Sequence, residues 1–223
     1  MRERLASALF GGSCFVCRGA ARGLLCAQCA AELPRLARPL CPRCALESPG
    51  GAICGRCLSQ PPAYDATHAA LAYDFPADTL VHALKFRGEL ALAPLLAGLL
   101  APKLRGDGID HVVPVPLSAE RLRRRGYNQA AEIARHLGRD ALEVALCERT
   151  REAPPQMELP YDERQRNVRG AFRCTRALIG ARIAVVDDVM TTGATLDEMA
   201  RTLKAAGAVH VENWVVARTL PHA

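Results

Sequence analysis

Apolar residues fall along this chain in two rhythms, and each change of rhythm marks an element. Ile183-Ala184-Val185-Val186 is an unbroken apolar run, the pattern of a strand buried on both faces. Leu196, Met199, Ala200 and Leu203 then recur at i, i+3, i+4 and i+7, which predicts a helix over Thr195 to Ala206. The same reading gives strands at His68 to Tyr73, Ile109 to Val115, Val144 to Arg149 and His210 to Val216. Helices are expected over Ala77 to Phe86, Glu89 to Leu104 and Asn128 to Leu137. Strands alternating with helices predict an α/β fold with a mostly parallel twisted sheet covered on both faces. Ligands of such sheets bind beyond the carboxyl ends of the strands. Asp187, Asp188 and the segment after Val115 all fall at that edge. Thr150 to Asn167, rich in charge and Pro, shows neither rhythm; such a stretch inside a compact domain is functional or disordered.

The first 59 residues follow another logic. They hold too few large apolar residues for a core, yet eight of the ten cysteines in the chain stand here as four Cys-x-x-Cys pairs. These are Cys14/Cys17, Cys26/Cys29, Cys41/Cys44 and Cys54/Cys57. Two thiolates at this spacing converge on one metal, and two such knuckles complete a four-thiolate zinc site. Gaps of eight, eleven and nine residues favour pairing the first knuckle with the second and the third with the fourth; an interleaved arrangement stays open. Pro42 and the arginines Arg18, Arg22, Arg43 and Arg56 suit knuckle turns beside a negatively charged site. With no His or carboxylate ligand and no open position, both zinc ions are expected to be structural. Zinc binding is worth roughly 10–16 kcal/mol in small peptides, enough to replace a core. Cys147 and Cys174 have no partner spacing and read as small core residues. Gln60-Pro61-Pro62 reads as a linker, dividing a double zinc ribbon (1–59) from an α/β domain (63–223).

Composition narrows the field. The formal charge is +6 and all but three of the basic residues are arginine, which suits phosphate-bearing ligands, nucleic acid included. Aromatics at 4% argue against a base-stacking platform. The apolar stretch Leu5 to Phe10 is too short for a signal segment, and Leu90 to Pro102, interrupted by Pro94, is too short to span a membrane. A soluble, cytoplasmic protein is expected.

The chemistry concentrates after the Ile183 run. Two acids, Asp187 and Asp188, precede a turn of Thr191-Thr192-Gly193-Ala194-Thr195 that opens a helix. Exposed amides at a helix start hold an anion well. Two carboxylates beside an anion site suit a sugar phosphate: acids for ring hydroxyls, amides for phosphate. All thirteen positions from Ile183 to Thr195 resemble the phosphoribosyl pyrophosphate (PRPP) motif of type I phosphoribosyltransferases. The resemblance implies Asp187 and Asp188, the catalytic candidates, on the ribose 2′ and 3′ hydroxyls. It implies Thr191 through Thr195 around the 5′-phosphate, with Val189 and Met190 between them, and magnesium bound with PRPP.

Further segments align with one family. Leu84-Lys85-Phe86-Arg87-Gly88, Pro114-Val115-Pro116-Leu117 and Arg125-Gly126-Tyr127-Asn128-Gln129 resemble the ComF family of competence-associated proteins. So do Gln156, Arg164, Asn167-Val168 and Gly170-Ala171-Phe172, and with the cysteine module the likeness runs through the whole chain. It implies a zinc ribbon joined to a type I phosphoribosyltransferase domain, and a role in DNA uptake. Single-stranded DNA and a competence helicase are the partners that would follow. By position in this fold, Leu117 and Ser118 would contact pyrophosphate. Thr150 to Asn167 would be the hood over the substrate, with Gln156 and Arg164 its residues of interest. Lys85 is a phosphate ligand or a surface lysine. Arg121, Arg123, Arg124 and Arg125 are a phosphate clamp or a solvated helix start. Asn128 and Gln129 cap a helix or face the crevice. Trp214 and Arg218 are the residues left for recognising a base. An active transferase of nucleotide or nucleobase metabolism is the alternative to a PRPP-binding competence protein.

Overall fold

The computed structural model describes residues 12–36, 39–104, 108–150 and 168–221. Its centre is a four-stranded, fully parallel sheet built from β3 (Ala66–Ala72), β4 (His111–Pro114), β7 (Arg182–Met190) and β8 (His210–Arg218). The spatial order is β3-β8-β7-β4, which places the longest strands, β7 and β8, in the middle. Both are buried almost throughout, as their continuous apolar runs require.

One face is covered by α3 (Ala77–Phe86), α4 (Leu92–Leu100) and α6 (Gln129–Arg135). Leu80, Leu84, Leu92, Leu96 and Ile133 pack there against Ala184, Val186 and the fully buried Trp214. The α4 helix is shorter than the pattern suggested: it starts at Leu92 and tightens to a 3₁₀ turn at Ala101–Lys103. Pro94 is tolerated because it sits in the first turn, where no intrahelical donor is needed. The basic run forms its own short helix, α5 (Ala119–Arg125), closed by Gly126 at φ 83°.

The other face is covered by α7 (Ala194–Ala205), whose Leu196, Met199, Ala200 and Leu203 pack on Ile183, Val185 and Val215. Cys41, Cys44, Cys57 and Tyr64 belong to this same apolar cluster, so the second cysteine group is built into the core of the sheet domain. Thr67 N–H donates to Pro42 O at 3.0 Å and Ala63 N–H to Asp197 Oδ1 at 2.6 Å, tying the linker down on both sides. The first group, with Cys14, Ala21 and Cys29 at its centre, forms a small cluster around the hairpin β1 (Gly12–Ser13) and β2 (Ala20–Ala21). The helices α1 (Ala27–Ala31) and α2 (Gly55–Ser59) each carry the last cysteine of a group.

Two expectations change. The strand expected over Val144 to Arg149 is only β5 (Cys147–Arg149), and it lies outside the parallel sheet. It pairs antiparallel with β6 (Phe172–Cys174), a strand the pattern did not reveal because three residues are too few to show alternation. And β7 does not end before the acids: it runs on through Asp187 and Asp188 to Met190.

Candidate functional site

The extension of β7 explains where the site lies. The neighbouring strand β4 pairs with β7 only as far as Pro114 opposite Val186, with Val115 N–H adding one bond to Val186 O. Beyond that point β7 continues alone on this side, held on the other by β8 through Asp187–Val215 and Val189–Ala217. The two acids therefore stand at an open sheet edge. Asp188 is 2% exposed and Asp187 half-buried.

Three elements converge on Asp188. From the end of α3, the Lys85 ammonium lies 3.1 Å from its Oδ2. From α6, the buried Gln129 side chain hydrogen-bonds it. From α5, Arg125 donates to Gln129 and lies 5.3 Å over the Phe86 ring. Tyr127 donates to Leu84 O, and Asn128 donates to Val115 O at 3.0 Å while capping α6 through the Ala130 amide. The sequence segments around Lys85 and around Arg125 to Gln129 thus form one wall over the acid pair.

The two carboxyls are driven apart. Burial and the charge of Asp188 push the Asp187 carboxyl well above the usual range. Burial also opposes charge on Asp188, but Lys85, with hydrogen bonds from Asp187 and Gln129, holds it below its usual value. Lys85 is raised, chiefly by the Asp188 charge. Oδ2 of Asp188 is buried without a hydrogen bond of good geometry, leaving Lys85 as its compensation. Two adjacent carboxylates, one neutralised by proximity and one under-satisfied, are hard oxygen donors that suit a divalent cation.

After Met190 the chain turns through Thr191, Thr192 and Gly193 into α7. Gly193 has φ 86°, and a Cβ there would stand 2.8 Å from Met190 Cε and 3.1 Å from Tyr64 Oη, so only glycine fits. Two arginines take the carbonyls of this turn. Arg218, 1% exposed, donates through Nη1 to Met190 O at 2.8 Å, to Thr191 O and to Thr219 O at 2.9 Å. Arg56 Nη2 donates to Thr192 O at 3.0 Å. In a trans peptide the carbonyl and the following amide point opposite ways. The amides of Thr191, Thr192 and Gly193 are therefore aimed away from the two guanidinium groups, three successive donors of the kind that nest an anion. Thr192 Oγ1 accepts from Ala194 N–H at 3.3 Å and so occupies the next amide.

Arg218 also links this turn to the second cysteine group, since its Nε donates to Cys44 O at 2.8 Å. Each group is arranged for metal. The ligand atoms of Cys14, Cys17, Cys26 and Cys29, and likewise of Cys41, Cys44, Cys54 and Cys57, lie within 4.8 Å of one another. This is the first-with-second, third-with-fourth pairing. The Cys17–Cys26 and Cys44–Cys54 sulfur separations are 3.7 and 3.6 Å, close to the edge of about 3.8 Å that a tetrahedron with Zn–S of about 2.3 Å requires. Amides of Cys17 and Cys26 lower the Cys14 thiol to about 6, while burial pushes Cys29 up to about 12. In the second group burial opposes ionisation of Cys41, but amides of Cys54, Cys44 and Arg43 bring it to about 7; burial pushes Cys44 up to about 11. Four thiolates so close ionise together only around a cation, and both sets fit structural zinc.

The other expected residues separate. Met190 and Ala194 are buried in the core and offer only main chain, Val189 is half-buried, Thr191 is exposed and Thr195 half-buried at the start of α7. Ser118 is buried and spends its hydroxyl capping α5 at Arg121 N–H, with Leu117 half-buried before it. Arg123 and Arg124 are exposed in the last turn of α5, Arg121 is half-buried, and Arg125 is turned into the wall. Trp214 is fully buried and gives its indole N–H to Glu212, so with Arg218 committed to carbonyls neither is placed to read a base. Gln156 and Arg164 lie outside the described residues. Sequence reasoning missed Tyr64 and the bridging roles of Arg56 and Arg218, since Arg56–Thr192 and Arg218–Cys44 each join residues more than a hundred positions apart.

The parallel sheet, the acids at its open edge and the amide turn into α7 define a phosphoribosyl transferase domain, here carrying a cysteine-rich metal module. Residues 95–220 match the phosphoribosyl transferase domain family and residues 5–58 the double zinc ribbon domain family. DNA utilization protein YhgH of Salmonella typhimurium is 35% identical across 94% of this chain and 98% of its own. Competence protein F of Haemophilus influenzae is 31% identical with the same coverage, and competence protein ComFC of Streptococcus pneumoniae 27% identical over 87% of each chain. The chain belongs to the ComF family. Among the described residues, no helix is long and apolar enough to cross a membrane.

Proposed function

We propose that this protein binds PRPP at the edge of β7 and serves in the uptake or handling of single-stranded DNA, a reading supported by relatives named for DNA utilization and for competence. The observation supporting the first half is the conjunction of an under-compensated acid pair with three amides aimed by Arg218 and Arg56. Asp187 and Asp188 would accept from the ribose hydroxyls, and the Thr191–Gly193 amides would donate to the 5′-phosphate. Lys85 and Arg125 would face the anionic side of the ligand. Magnesium, when bound with PRPP, would neutralise pyrophosphate charge, with the Asp187 and Asp188 oxygens its donors on the protein side. The exposed Arg123 and Arg124 on the neighbouring helix supply positive charge suited to a phosphate backbone. Trp214 and Arg218 being buried favours a binder over a nucleobase transferase.

Calorimetric titration of PRPP, with and without magnesium, into the zinc-loaded protein tests the site; absence of binding at millimolar ligand would overturn it. Pyrophosphate release measured with free nucleobases and with single-stranded DNA separates binder from transferase. For DNA, changing Arg121, Arg123, Arg124 and Arg125 to Gln should flatten the log–log salt dependence by roughly 0.7 per lost phosphate contact. An unchanged slope removes the run from the DNA surface.

A further inference from the structure

Cys147 and Cys174 have no role in either metal group, yet they stand directly opposite each other in the β5–β6 pair. Their sulfurs are 3.2 Å apart. The pairing position matters. Thr175 N–H bonds Leu146 O and Thr150 N–H bonds Ala171 O, so strict antiparallel alternation makes Cys147–Cys174 a non-hydrogen-bonded pair. At such a pair the Cα atoms approach to about 4.5 Å, inside the range of about 4.4–6.8 Å that a disulfide spans. The backbone therefore needs no rearrangement to join the two residues.

Their surroundings differ in a useful way. Cys147 is 2% exposed, whereas Cys174 is half-buried and reachable from solvent, with its sulfur 3.8 Å from Thr202 O. A hydrogen bond from Cys147 lowers the Cys174 thiol, and the same contact raises Cys147. The sulfur with the lowered thiol belongs to the half-buried Cys174, and the other belongs to the buried Cys147 beside it.

We propose that Cys147 and Cys174 are a redox modification site that forms a reversible intramolecular disulfide on exposure to a hydroperoxide. The Cys174 thiolate attacks the peroxide oxygen, breaking the O–O bond and releasing water once the leaving oxygen is protonated. The Cys147 sulfur then displaces hydroxide from the Cys174 sulfenic acid, forming the S–S bond and a second water. Two thiols lose two electrons and two protons, and one hydrogen peroxide becomes two waters. The bond fixes the β5–β6 pair covalently and closes the chain between positions 27 apart in sequence. This site is independent of PRPP and of the zinc ligands.

The test uses the full-length, zinc-loaded protein with equimolar hydrogen peroxide, followed by alkylation, non-reducing tryptic digestion and mass spectrometry. Arg149 and Arg173 put the two cysteines in different tryptic peptides, so a disulfide appears as a linked pair lighter by two hydrogens. The expected result is that linked pair, abolished by dithiothreitol, with zinc content unchanged. Oxidation should also raise Tm by up to roughly 10 °C through loop closure. Cys147→Ala should instead accumulate a dimedone-reactive sulfenic acid on Cys174, and Cys174→Ala should leave Cys147 unmodified. Peroxide that releases zinc and oxidises the ligand cysteines while Cys147 and Cys174 still alkylate would overturn the proposal. So would a linked peptide joining either residue to a metal ligand.

Discussion

Replacing Arg218 with Met removes a buried side chain that hydrogen-bonds both the second zinc group and the phosphate turn. Met keeps the length and apolar stem of Arg but leaves the carbonyls of Cys44, Met190, Thr191 and Thr219 without this donor. Met190 O retains a bond from Thr219 N–H at 3.0 Å, so three carbonyls lose more than the fourth. Each hydrogen bond from a charged donor is worth about 1.5–3 kcal/mol, and burying the guanidinium takes back several kcal/mol. Breaking such a buried charged network typically costs about 3–5 kcal/mol. At about 2–4 °C per kcal/mol for a chain this long, Tm should fall by roughly 6–20 °C. Thermal melts of the zinc-loaded protein measure that fall. Zinc release to a chromophoric chelator should show one ion leaving faster, since only the second group meets Arg218. Arg218→Lys should recover only part of the loss, because one ammonium cannot span acceptors on two sides. A variant whose Tm and both zinc release rates match the parent would refute the bridging role.

Purified without chelator, the protein should contain two zinc ions per chain; a disulfide-bonded, zinc-free product would sink the metal reading. The Asp187→Asn variant should melt higher than the parent at pH 7, since burial and Asp188 oppose its charge, while PRPP affinity falls roughly 10–150-fold; unchanged calorimetric binding would remove Asp187 from the site. Glu212 gives a pH signature away from the site. Burial opposes its charge, but hydrogen bonds from His68, Trp214 and His210 prevail and lower it to about 2. A depressed carboxylate stabilises the fold above its unfolded value of about 4.5 and loses that contribution as pH falls towards 2, about 3 kcal/mol in all. The Tm difference between the parent and Glu212→Gln should shrink over that window, and a pH-independent difference would refute it.

What could be read from sequence was whatever is local. The apolar run and its acids, the amphipathic helix after Gly193 and the four cysteine knuckles each carry their signal within a dozen residues. The parallel sheet followed from their alternation. The acids lie inside β7 because β8 keeps pairing with it as far as Met190, and they stand at an open edge because β4 stops first, both facts about neighbouring strands. Cys147 and Cys174 looked unpartnered because an antiparallel pair leaves no fixed spacing. No local motif marks a base pocket, which leaves Trp214 and Arg218 as candidates near the end of the chain; only packing shows that both are buried in protein. Gln60-Pro61-Pro62 marks a linker after the cysteine module, but no local signal tells that the module's second group shares the core of the sheet.

The bond from Arg218 to Cys44 spans 174 residues, joining nearly the last structured element to one of the first. On a ribosome that distance is time. At about 5–20 residues per second, roughly 9–35 s pass between synthesis of Cys44 and of the arginine that secures its carbonyl. For most of that interval the second cysteine group has its ligands but not β8, whose Val211 and Val215 complete the apolar face it will share. Metal bound early would hold those thiols together before β8 exists, and a chain cut short before β8 would lack both Arg218 and part of the apolar face that the second group packs on.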